Sequence, residues 1–227
     1  MWPTARTSLV ISTSGEQIGG APRRFRDASD RARADWASAN PARQARQAGC
    51  ESTADGVLVP FFGRPHLVTH PAGIVSAEAA PVHAAVAILV LHYLTHADGA
   101  PVAGEWLTFR DLPDGLFYSP SFASRAEAPI AAAFGGASGG ARTPGNELGE
   151  FRAAAASVGG EELDLADASF AFPALPRLRL AALLWEGDED FPAEAHILFD
   201  AAAGHYLAAE DLAGLGETLA RRLTRVR

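Results

Sequence analysis

The chain has 227 residues, 48% of them hydrophobic and 20% charged, enough to bury a sizeable core in one large domain. All 19 basic residues are Arg against 27 Asp and Glu, so the net charge of −8 argues against a nucleic-acid surface or an anionic-membrane surface. Without Lys there is no Schiff-base or P-loop lysine, and a single cysteine, Cys50, builds no intramolecular disulfide, zinc ribbon or iron–sulfur cluster.

Residues 1–22 are rich in Ser, Thr, Gly and Pro without periodicity, which reads as a disordered or loosely attached tail; 23–227 then form a single α+β domain. Leu9-Val10-Ile11 is too short for a signal-peptide core, and the apolar run 84–91 is far short of the roughly 20 residues of a spanning helix. The expected location is cytoplasmic, with no membrane partner.

A helix is expected over 24–47, broken at Asn40-Pro41 and closed at Gly49, with Trp36 as its anchor. Residues 57–62 and 66–69 read as a hairpin turned at Gly63-Arg64-Pro65, with Pro60 suggesting an edge strand, and 74–76 as a third strand. The segment 81–97 opens with Pro81 and is apolar nearly all round, so it is the expected central helix. Residues 105–110 read as a strand carrying Trp106, 121–134 as a helix weakened at Pro129, and 147–158 as a short Ala-rich helix. Gly-rich 135–145 is a loop without the features of a phosphate cradle. Phe170 and Phe172 share one strand face, and Pro173 and Pro176 bracket a turn. Leu212, Leu215, Leu219 and Leu223 form the stripe of a helix over 208–225, which ends in Arg221, Arg222 and Arg225. Hairpins mixed with helices, without regular βαβ alternation, predict an α+β fold: a mainly antiparallel sheet with a central apolar helix and peripheral helices.

The most unusual stretch is 178–200. An apolar run up to Trp185 meets Glu186, Asp188, Glu189, Asp190 and Glu194, and a second apolar run follows over 196–199. Two core strands joined by an acidic connection fit this pattern. Carboxylates so dense repel unless a cation, an Arg or ordered donors share them, so the connection is either a solvated loop or a site. Arg64, Arg110, Arg177 and Arg179 are the available guanidinium partners. Trp185 and Phe191 are expected to pack the connection onto the body, facing a cleft.

His92 and His96, four apart on the central helix, have the spacing of a two-histidine metal site. They lack the intervening Glu of the H-E-x-x-H motif, and histidines near a helix end equally suit its free carbonyls. Tyr93, Trp106, Trp185, Glu186, Asp188, Asp190 and His196 are the candidate ligand-binding residues, walling a pocket between the central helix and the sheet. His205 flanks the second core run. No nucleophile motif is present, no catalytic residue is assigned and no cofactor is specified.

Gly104-Glu105-Trp106-Leu107-Thr108-Phe109-Arg110, Leu184-Trp185-Glu186-Gly187-Asp188-Glu189-Asp190-Phe191-Pro192, Leu198-Phe199-Asp200 and Tyr206-Leu207-Ala208-Ala209-Glu210-Asp211 together resemble a bacterial domain-of-unknown-function family. The resemblance spans about residues 25–225 and centres on the Trp-Glu-Gly-Asp-Glu-x-Phe-Pro segment. The family is common in anaerobes, and some members are fused to a four-cysteine iron–sulfur module that this chain lacks. It implies an accessory or cofactor-binding role near corrinoid, haem or one-carbon chemistry. Two functions follow as expectations. One is a protein binding a small molecule or a corrinoid- or haem-like cofactor. The other is a metal-dependent hydrolase or lyase working through the acidic 186–194 connection.

Overall fold

A computed structural model describes residues 23–135, 147–187 and 191–225. The expected tail 1–22 and the centre of the acidic connection, with Asp188, Glu189 and Asp190, lie outside the described residues. The chain enters through α1 (Arg23–Ser38) and α2 (Pro41–Ala48). Their junction follows local chemistry: the Asn40 carboxamide accepts from the Arg43 N–H, Pro41 starts the new helix, and Gly49 closes it at φ 69°. Trp36 is fully buried and donates its indole N–H to Thr69 O at 3.0 Å.

Two antiparallel five-stranded sheets follow, where the sequence pattern suggests one. The first is a meander of β1 (Glu51–Ser52), β2 (Val57–Phe61), β3 (Arg64–Val68), β4 (Val75–Ala77) and β5 (Ala80–Pro81). Pro60 lies in β2, the second strand of the meander, but beyond the two residues paired with β1, so it has no ladder bond to lose on that side. The second sheet contains β6 (Trp106–Thr108), β7 (Glu161–Leu163), β8 (Ala168–Leu175), β9 (Leu178–Trp185) and β10 (Glu194–Asp200), ordered β6-β10-β9-β8-β7. Pro173 sits inside β8, opposite Arg179, at an irregularity in the ladder, so the turn begins later than the two prolines suggest.

The central helix is α3 (Ala84–His96), against α1, α2 and α7 (Ala209–Arg225). Pro81 does not open it. That residue pairs with Ser76 in an edge strand, and His83 caps the helix by accepting from the Ala85 N–H. Gln44, not a histidine, takes the carbonyls at the other end, bonding Leu94 O and Thr95 O at 2.9 and 2.8 Å.

The helix expected from residue 121 starts six residues earlier, as α4 (Gly115–Phe122). Its Leu116, Phe117 and Tyr118 are exposed, so no apolar periodicity marks it. Before α5 (Ala128–Phe134) the chain makes a π-turn over Ala123–Glu127, with the Ala128 N–H reaching back five residues to Ala123 O. Pro129 has no N–H to continue the regular ladder, and one extra residue in the turn accommodates it. After α6 (Glu147–Ser157) the chain enters β7.

One face of the second sheet packs on these helices. Phe109, Phe122 and Phe199 form one ring cluster, and Phe134, Phe151 and Phe170 another. The Leu212, Leu215, Leu219 and Leu223 stripe of α7 is buried, as are Leu89 and Leu184. Asp200, 1% exposed, accepts from the N–H groups of Ala103, Gly104 and Ala202, fixing the approach to β6. Among the described residues no helix is long and apolar enough to cross a membrane.

Candidate functional site on the second sheet

The ladder places several sequence-predicted residues on one sheet face. Trp185 stands opposite Glu194, His196 opposite Leu183, and Asp200 opposite Trp106. Strand alternation therefore puts Trp106, Leu198, His196, Glu194 and Trp185 on the face turned away from Leu107, Ile197, Phe199 and the ring clusters. Trp106 and Trp185 are half-buried.

His196 is the polar centre of this face. Trp185 meets it edge to face, with ring centroids 5.4 Å apart. Its Nδ1 lies 3.5 Å from Glu127 Oε1, and its Nε2 lies 3.2 Å from Glu194 Oε1. The two carboxylates differ in kind: the Glu127 side chain is 16% exposed and that of Glu194 is 68% exposed. Glu127 is fixed by the π-turn and also accepts the Ile197 N–H at 3.0 Å, the first β10 amide past the last β6 pair, Leu198 with Thr108. The bond to Glu127 raises the imidazole above its ordinary pKa against the opposing effect of burial, and Glu194 adds to the rise. The arrangement holds one edge of the ring on a mostly buried carboxylate and leaves the other on an exposed one, so a ligand that displaces Glu194 would gain an oriented imidazole. Sequence reading misses Glu127; the only signal is Pro129 two residues on, inside a helical pattern.

The acidic connection is held at its ends. Glu186 is exposed, and its N–H donates to Asp167 Oδ2 at 2.9 Å. A Cβ on Gly187 would come 2.5 Å from Ala193 N, so the two ends approach more closely than any other residue allows. Phe191 is 71% exposed, which corrects the expectation that it packs onto the body: β10 starts only at Glu194, and Phe191 lies outside the ladder. Of the guanidiniums expected to serve the connection, Arg179 pairs with Glu161 at 2.6 Å. Arg177 reaches towards Gly99 O at 3.5 Å, and its N–H donates to the Tyr93 hydroxyl.

The structure places the other candidates apart from this face. Tyr93 is fully buried; its hydroxyl donates to Ala48 O at 2.7 Å and accepts from Arg177 N at 3.0 Å, and its ring stacks on Tyr206. His92 donates from Nδ1 to Asp211 Oδ2 at 2.8 Å, and His96 stacks on it with centroids 5.4 Å apart and planes 22° apart. The hydrogen bond to Asp211 raises the His92 pKa, against burial, with Asp35 and Glu210 adding to the rise. His205 pairs with Asp98 at 2.7 Å. No group of three or more His, Cys, Asp or Glu able to hold a metal ion occurs among the described residues.

The fold and this face define an α+β protein with an aromatic, histidine-centred cluster on the second of its two antiparallel sheets. The chain belongs to the family described as Domain of unknown function (DUF3786), which matches residues 40–222. No curated protein and no solved structure matched the chain.

Proposed function

We propose that this protein is a cytoplasmic binding or accessory protein for a small molecule or cofactor, of the flat conjugated kind represented by corrinoids and haem. The ligand would rest against Trp185 and meet His196 through Nε2, with Trp106 further along the same face, opposite Asp200. The observation that carries this reading is the held ring: Glu127 fixes Nδ1, while Nε2 faces a carboxylate that is largely in solvent. An imidazole oriented by a carboxylate is a good donor to a metal-centred or hydrogen-bonding ligand, and a half-exposed indole beside it supplies stacking area. The net charge of −8 supports a small-molecule partner over a nucleic acid.

Absorbance of the purified protein tests the proposal first, followed by titration with haem and with cobalamin while the visible band and Trp fluorescence are recorded. The expected result is saturable binding that H196A weakens by at least about tenfold, or about 1.4 kcal/mol. Absence of saturable binding by either cofactor, or binding unchanged in both H196A and W185L, refutes it. Bound divalent metal without a chromophore would instead favour the metal-dependent hydrolase or lyase.

A further inference from the structure

A second cluster lies on the first sheet, at the turn joining β2 to β3. Phe62 (φ 47°) and Gly63 (φ 73°) both take left-handed conformations there, the geometry of a tight two-residue hairpin turn. The Phe62 N–H bonds Ala174 O at 2.8 Å, pinning the turn to β8. Arg222, in the last turns of α7, lays its guanidinium on the turn, with Cζ 4.7 Å from the Phe62 ring centre and 5.7 Å from that of Phe61. His66 stands edge-on to the same Phe61 ring, with centroids 5.5 Å apart, and Arg64 pairs with Phe61 in the ladder. One guanidinium and an imidazole thus gather round one aromatic pair, and the exposed Arg64 stands close enough for its charge to act on both His66 and Arg222. Among the described residues no carboxylate forms an ion pair with Arg64 or Arg222. In a chain whose acids outnumber its arginines 27 to 19, unpaired guanidiniums gathered in this way are unexpected from composition.

We infer that Arg64, His66 and Arg222 form a binding site for the phosphate group of a small phosphorylated ligand. Guanidinium forks match phosphate oxygens, and a guanidinium already desolvated on aromatic faces gains most from an anion. The histidine narrows the class. Its Nδ1 lies 2.8 Å from Arg64 O, and a carbonyl only accepts, so Nδ1 carries the hydrogen and Nε2 is a bare acceptor. A phosphate in its monoanionic form has a hydroxyl to donate to that nitrogen; an ionised carboxylate has none. Burial chiefly holds the His66 pKa below its ordinary value; Arg222 and Arg64, the charged groups acting on it, lower it further, and its bond to Arg64 O works the other way. Burial also lowers the Arg222 pKa, with Arg64 adding to that effect. A bound phosphate monoanion offsets part of that positive charge and brings the proton that Nε2 accepts, so binding and proton uptake are coupled.

The test is a histidine-ring NMR titration of the full chain with inorganic phosphate, and with acetate at matched ionic strength, the His66 signal being assigned by its loss in H66Q. Phosphate is expected to shift that signal saturably and to raise the His66 pKa. Its affinity should strengthen roughly tenfold between about pH 8 and about pH 6, where inorganic phosphate gains the hydroxyl proton that Nε2 accepts. R222M, which keeps apolar packing on Phe61 and Phe62, and R64Q, at an exposed side chain, should each weaken binding at least about tenfold. The inference is overturned by the absence of a saturable shift at millimolar phosphate. An equal response to acetate overturns the phosphate assignment, as does binding unaltered in both arginine variants.

Discussion

Tyr93→Phe removes one oxygen from a fully buried polar joint. The ring is 0% exposed, and its hydroxyl links three elements: it donates to Ala48 O at the end of α2 and accepts the Arg177 N–H at the β8–β9 turn. Burial pushes the phenol above its ordinary pKa, so the group is a neutral donor throughout the accessible range. Phenylalanine keeps the stack on Tyr206 but leaves the Arg177 amide without its partner and the Ala48 carbonyl with only the weak Cys50 thiol donor at 3.7 Å. Each orphaned buried group costs about 1–3 kcal/mol, and the lost polar burial of the hydroxyl offsets part of that, so the net loss should be about 2–4 kcal/mol. In urea the midpoint should fall by about 1–2 M with an unchanged slope, or the melting temperature by roughly 4–16 °C. A midpoint within about 0.2 M of wild type refutes the double bond as a structural joint. Haem or cobalamin binding lost in Y93F at unchanged stability would instead restore Tyr93 as a ligand-binding residue.

Two further outcomes follow from ionisable groups. The raised His92 pKa stabilises the fold fully below the unfolded value of about 6.5, and the contribution fades as pH rises through the folded value. D211N should therefore cost on the order of 1 kcal/mol near pH 6 and less near pH 8.5, read from urea melts at both; an equal loss at the two pH values contradicts the pairing. Burial chiefly pushes the Cys50 thiol up to about 12, with Arg177 pulling the other way. Iodoacetamide should leave the folded protein unlabelled at about pH 8 by mass spectrometry and label it rapidly in urea; equal rates in both would show an exposed thiolate.

Much of the fold was legible where a local rule acts. Asn40-Pro41 and Gly49 mark their helix ends because capping and proline chemistry need only neighbouring residues. The α7 stripe names its buried face through periodicity, and the unbroken apolar run before Trp185 marks a strand buried on both faces. The division into two sheets was not legible, because β1, β5 and β7 are two or three residues long and too short to carry a pattern. The early start of α4 was hidden by its exposed Leu116, Phe117 and Tyr118, which obey no core periodicity.

The sequence by itself determined the candidate residue types on the second sheet. Trp106, Trp185 and His196 could be named from composition and position alone. Only the tertiary structure decided which of them share a face, and it placed Tyr93 in the core. It alone paired His92 with Asp211, 119 residues away, His205 with Asp98, 107 residues away, and His196 with Glu127 across the π-turn. Periodicity reports which side of an element is apolar, a property of neighbours along the chain. The charge state of a histidine depends on a partner within a few ångströms, and which partner arrives there is set by how sheets and helices pack.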